Sequence, residues 1–252
     1  LIANTAHGIH SPYIYKLVIE VLRNTEKPEQ LKDIEKLKKA LIRNKETVQL
    51  NHLGAKSTYL SSTTTVSAIS KISSSNSTKG SILFKLARFA QPNNIIELGT
   101  NLGLGTAYLA KGNLNSEVIT IEGNEQLHSI AKKNLNHLGL HHVKSVHALF
   151  DDVFLDLLRN NKAVDMVFVD GNHTYEATLR YFKNSLPYMS EKGIIIFDDI
   201  YWSREMHRAW EEIKKNERVT ATVDIYTMGI IFLSRDLSKQ NFKIKTHQNI
   251  CH

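Results

Sequence analysis

Asn94-Ile95-Ile96-Glu97-Leu98-Gly99-Thr100-Asn101-Leu102-Gly103-Leu104-Gly105 is the stretch from which the rest of the chain can be read. An apolar run ending in an acid and followed by closely spaced glycines predicts a buried strand over Asn94–Leu98. A tight turn and a helix starting near Gly103 should follow it. Glycine lets a backbone turn sharply and approach a ligand closely, and a helix start presents free N–H groups. One such loop is a weak signal by itself, so its meaning depends on its surroundings.

Upstream, a helix over Ser81–Ala90 leads through Gln91-Pro92 into that strand. Downstream, strands are expected at Val118–Ile121, Val143–His147, Val164–Val169 and Ile194–Phe197. Helices are expected between them at Glu125–Leu138, near Val153–Arg159 and at Tyr175–Leu186, with one more at Arg204–Lys214. Alternation of this kind builds a parallel sheet with right-handed crossovers. Val219–Ile225 and Gly229–Ser234 follow with no room for a helix between them, so they should form an antiparallel hairpin at the sheet edge. The expected fold is α/β, a doubly wound, mostly parallel seven-stranded sheet ending in that hairpin.

Residues 1–50 have a helical texture: Tyr15, Leu17, Val18, Val21 and Leu22 share an apolar face, and the lysine-rich Leu31–Ile42 repeats the spacing after Lys27-Pro28. Residues 57–81 are rich in Ser and Thr. Val66, Ile69 and Ile72 suggest a short amphipathic helix there, and Ser73–Thr78 reads as a flexible connection. The expected organisation is therefore a helical extension over 1–78, a ligand-binding core over 79–236 and a tail over 237–252.

A chain of 252 residues accommodates one large α/β domain or one domain with a small appendage. The apolar runs Gly193–Phe197 and Met228–Leu233 are strand-sized, far below the roughly 20 residues of a membrane span. The amino end lacks both an initiator Met and a signal pattern and reads as a truncated or processed start. Cys251 is the single cysteine, so neither an internal disulfide nor a cysteine metal site is expected, and a cytoplasmic location is the default. The formal charge of +7 comes with lysines spread over helical faces (Lys32, Lys36, Lys38, Lys39) rather than interleaved with aromatics, so nucleic acid is not an expected partner.

In an open α/β sheet, ligands bind at the carboxyl ends of the strands. The second strand ends in Ile121-Glu122, and an acid there characteristically accepts hydrogen bonds from the ribose hydroxyls of an adenosine-type ligand. The alternative is that Glu122 only helps to cap the helix after Asn124. A dinucleotide fingerprint starting at Gly103 would need Gly or Ala where Tyr108 stands, and a carboxylate at Glu97 would repel a pyrophosphate. The cationic S-adenosylmethionine suits that carboxylate better.

Glu97-Leu98-Gly99 with Gly103 four residues on resembles motif I of the class I methyltransferases. The likeness is greatest to the metal-dependent small-molecule O-methyltransferases of the catechol and caffeoyl-CoA type, over roughly residues 79–234, starting at Lys79-Gly80. The resemblance implies that Glu97, Gly99, Asn101 and Gly105 line the methionine end of the cofactor, with Gly103 in the same loop. It also implies that Glu122 and Gly123 meet the ribose, and that the adenine lies near Ala148, Leu149 and Phe150.

The fourth and fifth strands end in Asp170-Gly171-Asn172-His173 and in Asp198-Asp199-Ile200-Tyr201-Trp202. In the resembled family the corresponding acids hold a divalent cation. Asp170, Asp198 and Asp199 are the implied metal ligands here, with Asp170 also beside the cofactor. The Asp-Asp pair is similar to bacterial sugar and antibiotic O-methyltransferases. Carboxylate oxygens without a soft ligand suit Mg²⁺, and a cation would relieve their mutual repulsion. The alternative is that these acids are helix caps or cofactor-facing groups in a metal-free site. His173 stands where the catechol-type enzymes carry a lysine that deprotonates the acceptor. It reads either as the general base or as a residue that orders Asp170 or Glu176. Tyr201 and Trp202 are either acceptor-pocket walls or core. His7 and His10 lie far from the strand ends and read as surface or packing residues.

The expected activity is therefore S-adenosylmethionine-dependent O-methylation of a small-molecule hydroxyl, assisted by a divalent metal. The amino-terminal helices would serve as lid or dimer surface. Two rivals are an RNA or DNA methyltransferase, disfavoured because no Asn-Pro-Pro-Tyr-like motif occurs, and a non-catalytic module that keeps the cofactor fold.

Overall fold

The computed structural model describes residues 9–50, 63–73, 77–161 and 163–246. His7, Cys251, the amino end and the connection over 74–76 lie outside the described residues. The elements run α1 (Pro12–Leu17, continued by a π-turn at Val18–Leu22), α2 (Lys32–Leu41), β1 (Thr47–Gln49), β2 (Thr63–Thr65), α3 (Val66–Ser73), α4 (Ser77–Ala90) and β3 (Asn94–Leu98). They continue with α5 (Leu104–Gly112), β4 (Glu117–Glu122), α6 (Glu125–His137), β5 (Lys144–His147), α7 (Phe150–Asn160), β6 (Val164–Val169) and α8 (Tyr175–Ser185). The last are β7 (Met189–Asp198), α9 (Arg204–Lys215), β8 (Ala221–Asp224), β9 (Met228–Phe232) and β10 (Gln240–Lys243).

Eight of these strands form one sheet in the order β10-β8-β9-β7-β6-β3-β4-β5. The hairpin expected at the end of the alternation is β8–β9, in register from Ala221↔Phe232 to Asp224↔Gly229. Its second strand inserts antiparallel to β7, with Ile194 opposite Phe232. The expectation of seven strands with the hairpin at the edge needs one addition. Gln240–Lys243, inside the expected tail, pairs parallel to β8 and becomes the outermost strand. That segment is short and polar, with one buried side chain, Phe242, so it carries no strand periodicity of its own.

The described residues group into two compact units. One comprises residues 26–91 and 97–154. Here Asp33 and Glu35 on the first turn of α2 bind Lys111 Nζ and the Tyr108 hydroxyl of α5, both at 2.6 Å. β1 and β2, which the sequence does not announce, pair antiparallel with Val48 opposite Thr64. α3 forms as expected, with Val66 and Ile69 buried and Ile72 outward.

The other unit comprises residues up to 25, 92–96 and 155 onward. Its strands β6, β7 and β9 are buried along nearly their whole length, as strands covered on both faces must be. α9 turns Met206, Ala209, Trp210 and Ile213 inward at helical spacing. Trp210 lies flat over Gly229, where a Cβ would come within 2.7 Å of the indole. Within the described residues, no helix is long and apolar enough to cross a membrane. His10 is exposed, as expected of a surface residue.

Candidate functional site

The loop after β3 is built on backbone conformations that most side chains avoid. Gly99 and Gly103 have φ of 107° and 80°, and Asn101 between them has φ of 50°. A Cβ on Gly103 would also come within 3.3 Å of the Ala131 carbonyl, a tight contact that adds to the strain of its positive φ. The loop is pinned to the end of β4. Gly99 N–H donates to the Ile121 carbonyl at 3.0 Å, and Asn101 N–H donates to Glu122 Oε2 at 2.8 Å. Glu122 Oε1 accepts from Asn124 N–H at 2.9 Å, while Asn124 itself caps α6 through Leu127 N–H. The reading of Glu122 as a helper of the helix start has a counterpart in the geometry, since its carboxylate braces the turn into α6, and it braces the glycine loop as well. Burial raises the Glu122 pKa, and the N–H groups of Asn124, Asn101 and Gly123 oppose that rise.

Beneath the loop, Glu97 is 1% exposed. Its Oε2 accepts from the hydroxyls of Thr106 and, at 2.6 Å, Thr120. Thr100 Oγ1 lies 2.6 Å from Thr120 Oγ1 and completes a buried hydroxyl chain. Burial pushes the Glu97 carboxyl up to about 7, against the lowering effect of the two threonine hydroxyls. The resemblance implies that Glu97 lines the methionine end of the cofactor. In the structure its carboxylate is engaged under the loop. Thr100, Thr106 and Thr120 went unremarked in the sequence, where the only trace was a threonine inside the apolar run Val118-Ile119-Thr120-Ile121.

The remaining expected cofactor residues lie near this loop or the end of β5. Gly105 is in the first turn of α5, and Gly123 follows Glu122 at the end of β4. Ala148 N–H donates to the Glu122 carbonyl at 3.2 Å, Leu149 is exposed, and Phe150 opens α7. Asn101 Oδ1 is buried without a hydrogen-bond partner. A buried, unsatisfied acceptor beside a glycine loop is what a ligand bearing N–H or O–H groups would satisfy, so these residues fit an aminoacyl nucleoside.

In the other unit, β6 and β7 run in parallel register through Val169↔Phe197, so Asp170 and Asp198 come next on neighbouring strands. His173 Nε2 lies 3.8 Å from Asp170 Oδ1, an ion-pair distance, and both side chains are partly open to solvent. Thr174 caps α8 through Ala177 N–H. Asp199 leaves the strand with φ of 51°, and its N–H is held by the Thr227 carbonyl at 2.8 Å. Asp198 is buried, whereas Asp199 is more open. Among the described residues, no three His, Cys, Asp or Glu side chains come together as a group able to hold a metal ion. Asp170, Asp198 and Asp199, the expected set, are not gathered into such a group.

Tyr201, left open between pocket wall and core, is half-buried. Its hydroxyl donates to Asp224 Oδ2 and accepts from Lys243 Nζ, both at 2.8 Å. Trp202 is exposed.

The strand order and the braced glycine loop define a class I methyltransferase fold. Comparison with known proteins agrees: residues 96–200 match the family described as a methyltransferase domain. It is 28% identical over 127 residues to a catechol O-methyltransferase of Niastella koreensis, covering 48% of this chain and 56% of that one. The chain spans 18% and 56% of the lengths of two curated relatives that it matches. Two solved structures share the fold. An O-methyltransferase from Bacillus cereus in complex with SAH is 20% identical with a TM-score of 0.57, covering 87% of this chain and 96% of that one. The O-methyltransferase TomG from Streptomyces achromogenes, involved in tomaymycin synthesis and in complex with SAM, is 18% identical with a TM-score of 0.58. That match covers 83% of this chain and 91% of the other.

Proposed function

We propose that this chain transfers the methyl group of S-adenosylmethionine to a hydroxyl oxygen of a small molecule. The observation that carries the reading is the Asn101–Glu122 brace at the mouth of the glycine loop, beside the unsatisfied Asn101 Oδ1. Glu122 would hold the ribose, the loop from Gly99 to Gly105 the methionine end, and Ala148, Leu149 and Phe150 the adenine. Bound S-adenosylmethionine supplies an electrophilic methyl carbon on a cationic sulfur. The resemblance to catechol-type enzymes and the O-methyltransferases among the matches support oxygen as the acceptor atom.

His173 is the proposed base. Its Nε2 lies 3.8 Å from Asp170 Oδ1, and a neutral ring nitrogen of His173 would take the acceptor's hydroxyl proton. The acceptor oxygen then forms its bond to the methyl carbon as the carbon–sulfur bond breaks, leaving a methyl ether and S-adenosylhomocysteine. Holding the two reactants in line contributes up to about 7–11 kcal/mol in well-oriented systems. No step is assigned to a divalent ion, because the three acids do not assemble as a ligand group.

Thermal shifts with S-adenosylmethionine, S-adenosylhomocysteine and NAD test the reading. A ligand at 100 times its dissociation constant adds about 2.7 kcal/mol of stability. Stabilisation by the first two and not by NAD is expected, and the reverse would refute the cofactor assignment.

A further inference from the structure

A cavity of about 290 Å³ opens along the last residues of β8 and β10, beside the turn that follows Asp199. Its walls include Tyr201, His207, Lys214, Asp224, Asn241 and Lys243. The volume is at the lower end of the range for small-molecule sites, roughly 300–1,000 Å³.

Counting donors and acceptors defines what the cavity can accept. The buried carboxylate of Asp224 is satisfied from within, Oδ2 by the Tyr201 hydroxyl and Oδ1 by Tyr226 N–H, each at 2.8 Å. Asn241 Oδ1 accepts from the Thr222 hydroxyl at 2.8 Å. Glu211 Oε1 takes Lys214 Nζ at 2.5 Å and lies 3.5 Å from His207 Nε2, and the rest of that side chain faces water. On the donor side, the Lys243 ammonium gives one hydrogen bond, to Tyr201, and Lys214 gives one, to Glu211. An ammonium has three N–H groups, and the Asn241 amide nitrogen has two more. The unused groups are therefore N–H donors of two lysines and of Asn241, while the two carboxylates of the lining, Asp224 and Glu211, are already paired within the wall.

The wall is also held together by ring contacts. The Tyr201 ring is stacked between His207 at 4.8 Å and Tyr226 at 4.9 Å, with Lys243 Nζ 4.6 Å from its centroid. Trp202 N–H closes the turn onto the Asp199 carbonyl at 2.8 Å. A preorganised wall loses little entropy when a ligand binds.

We propose that this cavity binds the anionic oxygen group, carboxylate or phosphate, of a small molecule through Lys243, Lys214 and Asn241. The site shares no residue with the proposed cofactor loop and does not depend on methyl transfer. It exists because the segment expected to be a tail folds as β10 and delivers Asn241 and Lys243 to one wall.

The full chain without cofactor is titrated with inorganic phosphate and with benzoate, against sodium chloride at matched ionic strength. Binding is followed by calorimetry and by the fluorescence of Trp202 and Trp210, which flank the cavity residues. Saturable binding of at least one probe is expected, weakened about tenfold or more in Lys243→Met. Lys214→Met is the second variant, because it leaves the Lys243–Tyr201–Asp224 chain intact should Lys243→Met fail to fold. Saturation by phosphate alone assigns a phosphate, and saturation by benzoate alone assigns a carboxylate. No saturable binding by either probe, or unchanged affinity in the folded lysine variants, overturns the proposal.

Discussion

The backbone N–H of Asn101 donates to Glu122 Oε2 at 2.8 Å, so the glycine loop after β3 and the end of β4 act as one hydrogen-bonded piece. Glu122 therefore holds the loop's shape before any ligand arrives.

Glu122→Ala should weaken S-adenosylhomocysteine binding by about 1.5–3 kcal/mol, the scale of hydrogen bonds lost to a charged group. Calorimetry on the folded variant measures it. Unchanged affinity would remove the ribose assignment.

Glu97 should make stability depend on pH. Its ordinary pKa of 4.5 rises to about 7 in the fold, so between these values the native protein binds a proton that the unfolded chain has released. Stability contributed by this group is present below about pH 4.5 and is lost as pH rises through 7, by up to about 3 kcal/mol. Glu97→Gln keeps an acceptor for Thr106 and Thr120 without the charge. Its stability relative to wild type should rise across that window in denaturant titrations. A constant difference between the two proteins from pH 4.5 to 7.5 would contradict the assignment.

His173→Gln should preserve the fold and cofactor affinity yet lower turnover by roughly 10²–10⁴, the usual cost of removing a general base. The loss should be largest for an aliphatic hydroxyl and smaller for a phenol, which ionises more readily. Near-normal rates with every acceptor would leave His173 only its contact with Asp170.

Activity should persist in excess chelator, since Asp170, Asp198 and Asp199 do not form a ligand group. A loss reversed by Mg²⁺ would mean that these acids converge only when substrate is bound.

Gly80→Ala tests the packing of α4 on α5. A Cβ there would come within 2.2 Å of the Tyr108 ring, whose hydroxyl is bonded to Glu35. Overpacking of this kind costs about 1–3 kcal/mol and should outweigh the roughly 1 kcal/mol that alanine adds to helix propensity. A melting temperature at or above that of wild type would show that the ring moves aside freely.

The succession of strands and helices from Ser81 to Ser234 was legible from the residues alone. Each element announces itself locally, through apolar periodicity, through glycines where φ must be positive, or through a capping residue such as Asn124. Glu122 could be singled out for the same reason, because its place at a strand end is fixed by its neighbours in the chain. Tertiary structure alone decided what depends on partners distant in sequence. Gln240–Lys243 becomes a strand only because β8 offers it an open edge, and Thr47–Gln49 becomes one only because Thr63–Thr65 pairs with it. Glu97 is drawn under its loop by Thr106 and Thr120, 9 and 23 residues away. Asp198 and Asp199, adjacent in sequence, separate into a buried and a more open position, because side-chain direction follows from backbone conformation and register rather than from proximity along the chain.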